Sequence, residues 1–353
     1  MQTIRTAAAA LALTTLAASL QAQFVMITDW TADRVMLFNE SDGSIANLDF
    51  IADGAGNGYD WASPRDALQV GNEIWVSDQV SDSVTRFTTA GVFIANITGG
   101  MDNIRGMCFA NGKVYVTNAG SGNGAPGDAI IVLNLDGSVA TTVSVPDPFD
   151  VHEYNGRLLI TDIDGDNIGR YDYDLNFIDL FHDSNGADGI DFPQQLNTRS
   201  NGNLLAAGFT APSGLYEYGP DGAQIGTPIP ATGARGVHEL TNGNLIYTNS
   251  SGVHVYDVTA GVSTPIFATG NAQFINRLVQ GPQGCGPADV GATGGVAGAD
   301  GALDNNDFVV FIDLFFAMAP AADLGSTGGV PGADGAWDNN DFVVFIDEFF
   351  GGC

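Results

Sequence analysis

Basic residues are scarce in this chain of 353 residues, which has 11 lysines and arginines against 41 aspartates and glutamates. The formal net charge of −30 argues against nucleic acid and anionic membrane surfaces as partners, because both attract basic proteins. From Leu278 to the last residue the chain has no lysine or arginine at all. The charge therefore favours cations as partners.

Cysteine is equally scarce, with three residues in the whole chain. Cys108 lies in an apolar strand pattern, which predicts a small buried core residue. Cys285 and Cys353 bracket an acidic C-terminal segment, and the sequence leaves open whether they form a disulfide.

Long apolar runs are absent after the N-terminus. Residues 1–22 combine an early arginine, a short run of Ala and Leu, and a small residue at Ala22, which predicts a secretory signal peptide. A transmembrane anchor is the weaker alternative, because the run is short and is interrupted by Thr and Ser. We therefore expect a secreted protein, extracellular or at the cell surface, without membrane insertion.

Residues 23–280 repeat a turn and a strand that ends in a small or acidic residue. The copies include GNEIWVSD, NGKVYVTN, NGRLLITD and NGNLIYTN, and Asn-Gly between apolar runs favours a hairpin. Six such units, each long enough for four strands, predict a mainly β fold: a six-bladed β-propeller. Residues 273–279 are expected to supply the missing inner strand of the first blade and so to close the ring.

This repeat resembles the six-bladed NHL-type and bacterial YVTN propellers. The resemblance covers the whole of 23–280 and implies the fold rather than a function. Some six-bladed lyases and lactonases of this architecture carry His, Glu or a metal near the channel.

The few arginines of this region fall at matching places in the repeat. Arg65, Arg105 and Arg235 occupy the start of the innermost strand, and Arg277 lies in the closing strand, offset by about two positions. Together they predict a site for an anionic ligand at one channel mouth. The alternative is that each arginine pairs with an aspartate of a neighbouring blade, such as Asp66 or Asp150.

The triplet Val-His-Glu occurs at two equivalent places, with His152 before Glu153 and His238 before Glu239. A histidine beside an acid can act as a general base or a metal ligand. Inner-strand residues also pack between blades, and that alternative stays open. No enzyme signature is present in the sequence.

Residues 281–353 contain nearly the same eighteen residues twice, 299–316 and 333–350. Each copy begins with acids at fixed offsets and continues with an amphipathic helix whose phenylalanines recur at i, i+3 and i+7. Carboxylates without Cys or His favour calcium, and an EF-hand register places three aspartates per copy at ligand positions. The predicted metal ligands are Asp300, Asp304, Asp307, Asp334, Asp338 and Asp341, with Asp289 and Asp323 as the nearest candidates for the loop start.

The duplicated loop and helix, followed by the terminal Gly352-Cys353, resemble the GC-type dockerins of bacteria. The resemblance implies a small α-helical, EF-hand-like domain that binds two calcium ions and attaches the protein to a cohesin-like or cell-surface partner. The alternative is an acidic repeat that caps its helices and binds no metal.

The sequence thus predicts a signal peptide (1–22), a propeller (23–280) and a dockerin-like domain (281–353). The leading hypothesis is a binding or scaffold protein, with a polyanionic glycan or a protein as ligand. The alternative is an extracellular lyase or hydrolase with its site at the channel mouth.

Overall fold

The computed structural model describes residues 23–54, 57–184, 189–279, 286–292, 294–299 and 303–351. The described residues divide into two compact units, one within Gln23–Gln280 and the other within Gly281–Cys353. The predicted signal peptide, Cys285, Asp300 and Cys353 lie outside the described residues.

The larger unit consists of β-strands. In chain order they are β1 (Gln23–Asp29), β2 (Arg34–Asn39), β3 (Ile45–Ala52), β4 (Pro64–Val70), β5 (Glu73–Asp78), β6 (Ser83–Thr88), β7 (Phe93–Thr98), β8 (Ile104–Ala110), β9 (Lys113–Asn118), β10 (Ala129–Leu133), β11 (Val139–Ser144), β12 (Pro148–Tyr154), β13 (Arg157–Asp162), β14 (Asn167–Tyr171), β15 (Phe177–Asp183), β16 (Pro193–Thr198), β17 (Leu204–Gly208), β18 (Gly214–Tyr218), β19 (Ile229–Pro230), β20 (Gly236–Glu239), β21 (Leu245–Asn249), β22 (Gly252–Asp257), β23 (Val262–Phe267) and β24 (Ala272–Val279).

These strands form six antiparallel sheets of four strands, which is the predicted six-bladed propeller. Blade 1 has the order β24-β1-β2-β3, and blades 2 to 6 each contain four consecutive strands, starting with β4, β8, β12, β16 and β20. Each of these first strands contacts the corresponding strand of the next blade, and β24 contacts both β20 and β4. The inner strands therefore surround a central channel.

The ring closes in blade 1, where the two ends of the larger unit meet. Strand β24 pairs antiparallel with β1, and Phe24 lies opposite Leu278. The predicted closing strand is thereby confirmed.

The repeated strand ending has a structural explanation in the contacts between blades. The hydroxyl of Thr28 donates to the carbonyl of Arg65 at 2.8 Å, and Ser77 donates likewise to Arg105 at 2.6 Å. The acid that follows accepts backbone N–H groups of the turn after its strand, as Asp78 does from Val80 at 2.9 Å and from Ser81 at 2.7 Å. The motif thus joins each blade to its neighbour and closes its own turn.

Buried apolar side chains also hold neighbouring blades together. Each of the six interfaces between neighbouring blades contains its own cluster of buried residues. Cys108 is buried in one of them, as predicted, with its thiol free.

The C-terminal unit consists of two matching halves. The first contains β25 (Gly291–Ala292), β26 (Val296–Ala297) and α1 (Asn305–Phe316), and the second contains β27 (Gly325–Ser326), β28 (Val330–Pro331) and α2 (Asn339–Gly351), with a 3₁₀ turn (Pro320–Ala322) between them. Phe311 and Phe345 stack with ring centroids 3.9 Å apart, so each helix buries its phenylalanine face against the other. An EF-hand has a helix on each side of its loop. Here no helix precedes the first loop within residues 286–304, as far as these are described, so the EF-hand-like expectation holds only as a loop followed by a helix.

The described part of the chain contains no helix long and apolar enough to cross a membrane.

Candidate functional site

Three of the predicted arginines meet at one end of the propeller channel. Arg65 and Arg105 are the second residues of β4 and β8, and Arg235 directly precedes β20. Burial, followed by the nearby charges of Arg235 and Arg105, lowers the pKa of Arg65 to about 9. The guanidinium groups thus lie close enough to repel one another, and Arg65 still carries its charge at neutral pH.

The guanidinium groups of this arginine cluster (Arg65, Arg105 and Arg235) have neutral partners. Arg65 donates to the side-chain oxygens of Gln273, at 2.5 Å, and of Gln79. Arg105 donates to the carbonyl of Pro148 at 3.3 Å.

Aromatic rings and unused N–H groups complete the cluster. Phe149 lies under both Arg65 and Arg105, and Phe209 lies under Arg235. The Nε atoms of Arg65 and Arg105 and one terminal nitrogen of Arg235 are buried without a hydrogen-bond partner. These N–H donors therefore have no acceptor among the described residues.

The alternative of arginine–aspartate pairs between blades is wrong. Asp66 accepts from the backbone N–H of Met107 at 2.8 Å and from Asn276, and Asp150 accepts from the N–H of Leu196 at 2.7 Å. Both aspartates therefore join inner strands of neighbouring blades through the backbone. In the described part of the chain the arginine cluster forms no ion pair. Five other arginines there do pair with carboxylates: Arg34, Arg86, Arg170, Arg199 and Arg277.

The two aspartates are themselves electrostatically unusual. Burial raises the pKa of Asp66 to about 7, although the N–H of Met107 and the amide of Asn276 oppose the shift. Burial and the nearby Asp66 raise the pKa of Asp150 well above its ordinary value. The channel interior thus favours their protonated forms.

Arg277, the fourth predicted arginine, lies elsewhere. It is four residues beyond Gln273 in β24, which is roughly 13 Å along the strand. Its Nε donates to Glu40 at 2.9 Å, and both residues line a cavity of about 580 Å³ near the other end of the channel. The closing strand therefore brings Arg277 to a different site.

The same cavity contains His238 and Glu239, one of the two His-Glu pairs. His238 is buried, and neither of its ring nitrogens has a hydrogen bond. Glu239 is engaged by Arg199 and by the N–H of Ser200 at 2.7 Å. Sequence reasoning missed Glu40 and Arg199, which lie outside the repeated motifs.

The other histidine, His152, contacts Thr198 at 2.8 Å through Nε2. Burial lowers its pKa to about 4, so it is neutral at physiological pH. Glu153 accepts from the N–H of Gly156 at 2.8 Å, which is a turn contact.

In the C-terminal unit the acids bind backbone N–H groups. Asp341 is fully buried and accepts from the N–H groups of Leu324, Gly325 and Asp338, each at 2.8 Å. Asp307 repeats this arrangement with Val290, Gly291 and Asp304. A carboxylate has about four acceptor sites, so these two residues fix the loop to the helix instead of presenting both oxygens to a metal.

In the second copy Asp323, the candidate for the loop start, lies beside Asp334. Asp323 accepts from the N–H of Asp334 at 3.0 Å and of Gly335 at 2.9 Å, so the Gly-rich insertion folds back between them. Asp334 and Asp338 are exposed, each accepting one backbone N–H through a single oxygen. Among these, Asp323, Asp334 and Asp338 retain acceptor capacity for a hard cation.

The first copy is described in part. Asp304 caps α1 through the N–H of Asn306, and Asp289 is buried. Among the residues that the structure describes, no group of three or more His, Cys, Asp or Glu side chains is arranged to hold a metal ion.

The comparisons with known proteins agree on the propeller. A structure of a nidogen/laminin complex matches with a TM-score of 0.56 at 15% identity, covering 73% of this chain and 99% of that one. A putative gluconolactonase matches with a TM-score of 0.52 at 14% identity over 67% of this chain and 89% of that one. A protein of unknown function from Bacteroides caccae matches with a TM-score of 0.51 at 14% identity over 73% and 100%. No family model and no curated protein matches the chain. At these identities the likeness shows the fold alone.

Proposed function

We propose that this protein is a binding module, exported from the cell, whose propeller holds an anionic ligand at the arginine cluster. One observation carries the proposal: the guanidinium groups of Arg65 and Arg235, which are buried, and of Arg105, which is half-buried, lie together without a carboxylate partner within the described residues. A buried charge is costly unless it is paired, so a site of this kind favours an anion. The aromatic rings beneath the arginines also favour a ligand with an apolar part beside its charge.

Ligand-dependent thermal stability of the full chain tests this proposal. Sulfate, phosphate and benzoate, at constant ionic strength, should raise the melting temperature, because a ligand at 100 times its Kd adds about 2.7 kcal/mol to the free energy of unfolding. Arg105→Gln should abolish the increase, whereas Arg157→Gln should retain it. Arg157 is the matched control, since its side chain is exposed and contacts the carbonyl of Gly156. A melting temperature that does not respond to any of these anions would refute the proposal.

The C-terminal unit, in the same proposal, attaches the protein in a calcium-dependent manner to a cohesin-like or cell-surface partner. Its support is the resemblance to dockerins and the carboxylate oxygens that Asp323, Asp334 and Asp338 retain. Calorimetry of the chelator-treated full chain should detect two calcium ions. Asp323→Asn should remove one ion, whereas Asp347→Asn, on the exposed face of α2, should remove none. A chain that takes up no calcium would leave only a pair of capped helices.

The alternative function is an extracellular lyase or hydrolase. It is favoured by His238, which is buried with both ring nitrogens unbonded and is therefore able to accept a proton. Turnover of lactones, esters or uronate-containing glycans that is lost in His238→Phe would establish this alternative.

A further inference from the structure

The cavity near the channel end opposite the arginine cluster has the features of a second binding site. Its volume of about 580 Å³ lies within the range of small-molecule sites, roughly 300–1,000 Å³. Its walls come from the ends of the inner strands β4, β16, β20 and β24 and from the turns that follow them. Arg65 and Arg235 of the arginine cluster lie at the opposite ends of β4 and β20, so the two sites are separate.

One buried side chain in the wall of this cavity has no hydrogen bond to the protein. His238 is 8% exposed, and both of its ring nitrogens lack a hydrogen bond. Its Nε2 lies 3.6 Å from Glu40, which is beyond hydrogen-bond distance. Buried polar groups are nearly always hydrogen-bonded, and a neutral imidazole offers one donor and one acceptor. The imidazole of His238 therefore has an unmet donor and an unmet acceptor in the wall of the cavity.

The charges in the wall cancel in pairs. Arg277 binds Glu40 at 2.9 Å, and Arg199 binds Glu239 and also Glu217, which lies outside the lining. The two arginines and the two glutamates of the lining thus balance one another in charge. A wall of this kind does not favour an anion or a cation.

Neutral polar groups make up most of the remaining lining. The amides of Gln69, Asn197 and Asn276 and the hydroxyls of Thr198, Ser200 and Thr241 line the cavity. Amides and hydroxyls both donate and accept hydrogen bonds, which matches ligands with several hydroxyl groups. None of the described lining residues has a benzene or indole ring, so the cavity has no stacking surface for a nucleobase or another flat aromatic ligand.

We propose that this cavity binds a neutral polyhydroxylated ligand of the sugar class, with His238 hydrogen-bonded to one of its hydroxyl groups. The ligand would occupy the end of the channel opposite the arginine cluster, independently of any anion bound there. The inference does not rest on the proposed function, because it uses none of Arg65, Arg105 and Arg235.

Saturation-transfer NMR and calorimetry of the full chain would test the proposal with three sets of probes. The first is a panel of neutral sugars (glucose, galactose, mannose, xylose and their trisaccharides). The second and third are the corresponding amino sugars and uronic acids, which carry one positive or one negative charge. We expect at least one neutral sugar to bind with a Kd below about 10 mM, and at least tenfold more tightly than its charged counterparts.

Two variants locate the binding. His238→Phe keeps a ring of similar size but removes both nitrogens, and should weaken sugar binding at least tenfold. His254→Phe is the matched control, because His254 lies on β22, stacks on Tyr247 and does not line the cavity. It should leave the affinity unchanged.

A charge change provides a second and independent readout. The Arg277 side chain is 47% exposed, so Arg277→Gln should preserve the fold while leaving Glu40 without its cation. The wall then gains one negative charge, and preference should shift from the neutral sugar towards the amino sugar. The proposal is overturned if no neutral sugar binds, if uronic acids bind best in the wild type, or if His238→Phe binds sugar as the wild type does.

Discussion

Gln195 is the residue whose removal should most directly test how the propeller ring is held together. Its Oε1 accepts the N–H groups of Val237 at 3.2 Å and Ile275 at 3.0 Å, and its Nε2 donates to the carbonyl of Ile275 at 2.7 Å. One side chain of blade 5 therefore contacts the inner strands of blades 6 and 1. In blade 5, Ala207 occupies the position at which other blades have Thr or Ser, so the hydroxyl contact between blades is missing there.

The change Gln195→Leu retains the approximate size of the side chain and removes all three hydrogen bonds. Each buried N–H left without a partner costs about 1–3 kcal/mol. Two such groups, less roughly 1 kcal/mol gained from the added apolar contact, give a loss of about 3 kcal/mol in the free energy of unfolding. That is a large share of the roughly 5–15 kcal/mol typical of a folded domain.

Urea denaturation of the full chain measures this loss. At an m-value of about 2–3 kcal/mol/M, the unfolding midpoint should fall by about 1–1.5 M without a change in m. Gln224→Leu is the matched control, because Gln224 is exposed and contacts only the carbonyl of Gly226, and it should stay within about 0.5 kcal/mol of the wild type. A Gln195→Leu midpoint equal to that of Gln224→Leu would refute the role assigned to Gln195.

Three further changes test other parts of the molecule. Burial raises the pKa of Asp66 from 3.8 to about 7, so the folded state keeps a proton that the unfolded chain releases, and the free energy of unfolding falls as pH rises from about 4 to about 7. Asp66→Asn should therefore make the denaturation midpoint depend less on pH. An unchanged pH dependence would contradict the shift. Phe311→Ala should destabilise the helix pair by about 3–5 kcal/mol and reduce the helical circular dichroism on heating, whereas Phe316→Ala, with Phe316 77% exposed, should have little effect. Asp341→Asn leaves at least one backbone N–H without an acceptor and should lower the free energy of unfolding by about 1–3 kcal/mol in the same thermal scan, even without calcium. Asp347→Asn should have no such effect. Equal effects of the two changes would argue against a backbone role for Asp341.

The fold could be predicted because Asn-Gly turns recur at the same place in several of its repeats. At Asn111-Gly112 and Asn155-Gly156 both residues have positive φ, the conformation that tight two-residue hairpins require and that Asn and Gly tolerate. At Asn201-Gly202 only the glycine does, and Arg199 pairs with Asn203 across a longer loop. The Asn-Gly pair thus marks a hairpin in each case, and the residues beside the pair determine the geometry of the turn.

The position of Arg277 could not be predicted from the same repeat. The closing strand has no Asn-Gly turn after it to align it with a following strand, so its register is set by pairing with β1, where Val25 lies opposite Arg277. A shift of a few residues along a strand moves a side chain from one end of the channel towards the other. Pairing between distant parts of the chain decided this position.

The aspartates of the C-terminal unit illustrate a second limit. Asp304 and Asp307 fit positions 9 and 12 of a calcium loop, and they equally fit the N-cap and N3 positions of a helix. The structure shows the second arrangement as a capping box, in which each carboxylate accepts a backbone N–H of the other's turn. Spacing alone does not separate the two patterns, because both place carboxylates before a helix.

The charge distribution restricts which anion the arginine cluster can take. Asp128, Asp147 and Asp164 lie near enough to Arg105 to oppose the burial that lowers its pKa, and the whole chain carries a net charge of −30. A polyanionic glycan would have to lie across this acidic surface, where repulsion acts over about 8 Å at physiological ionic strength. A small ligand with one anionic group avoids most of that repulsion. The polyanionic ligand expected from the sequence is therefore the less favourable occupant, and a single carboxylate, sulfate or phosphate group on a compact molecule is the better one.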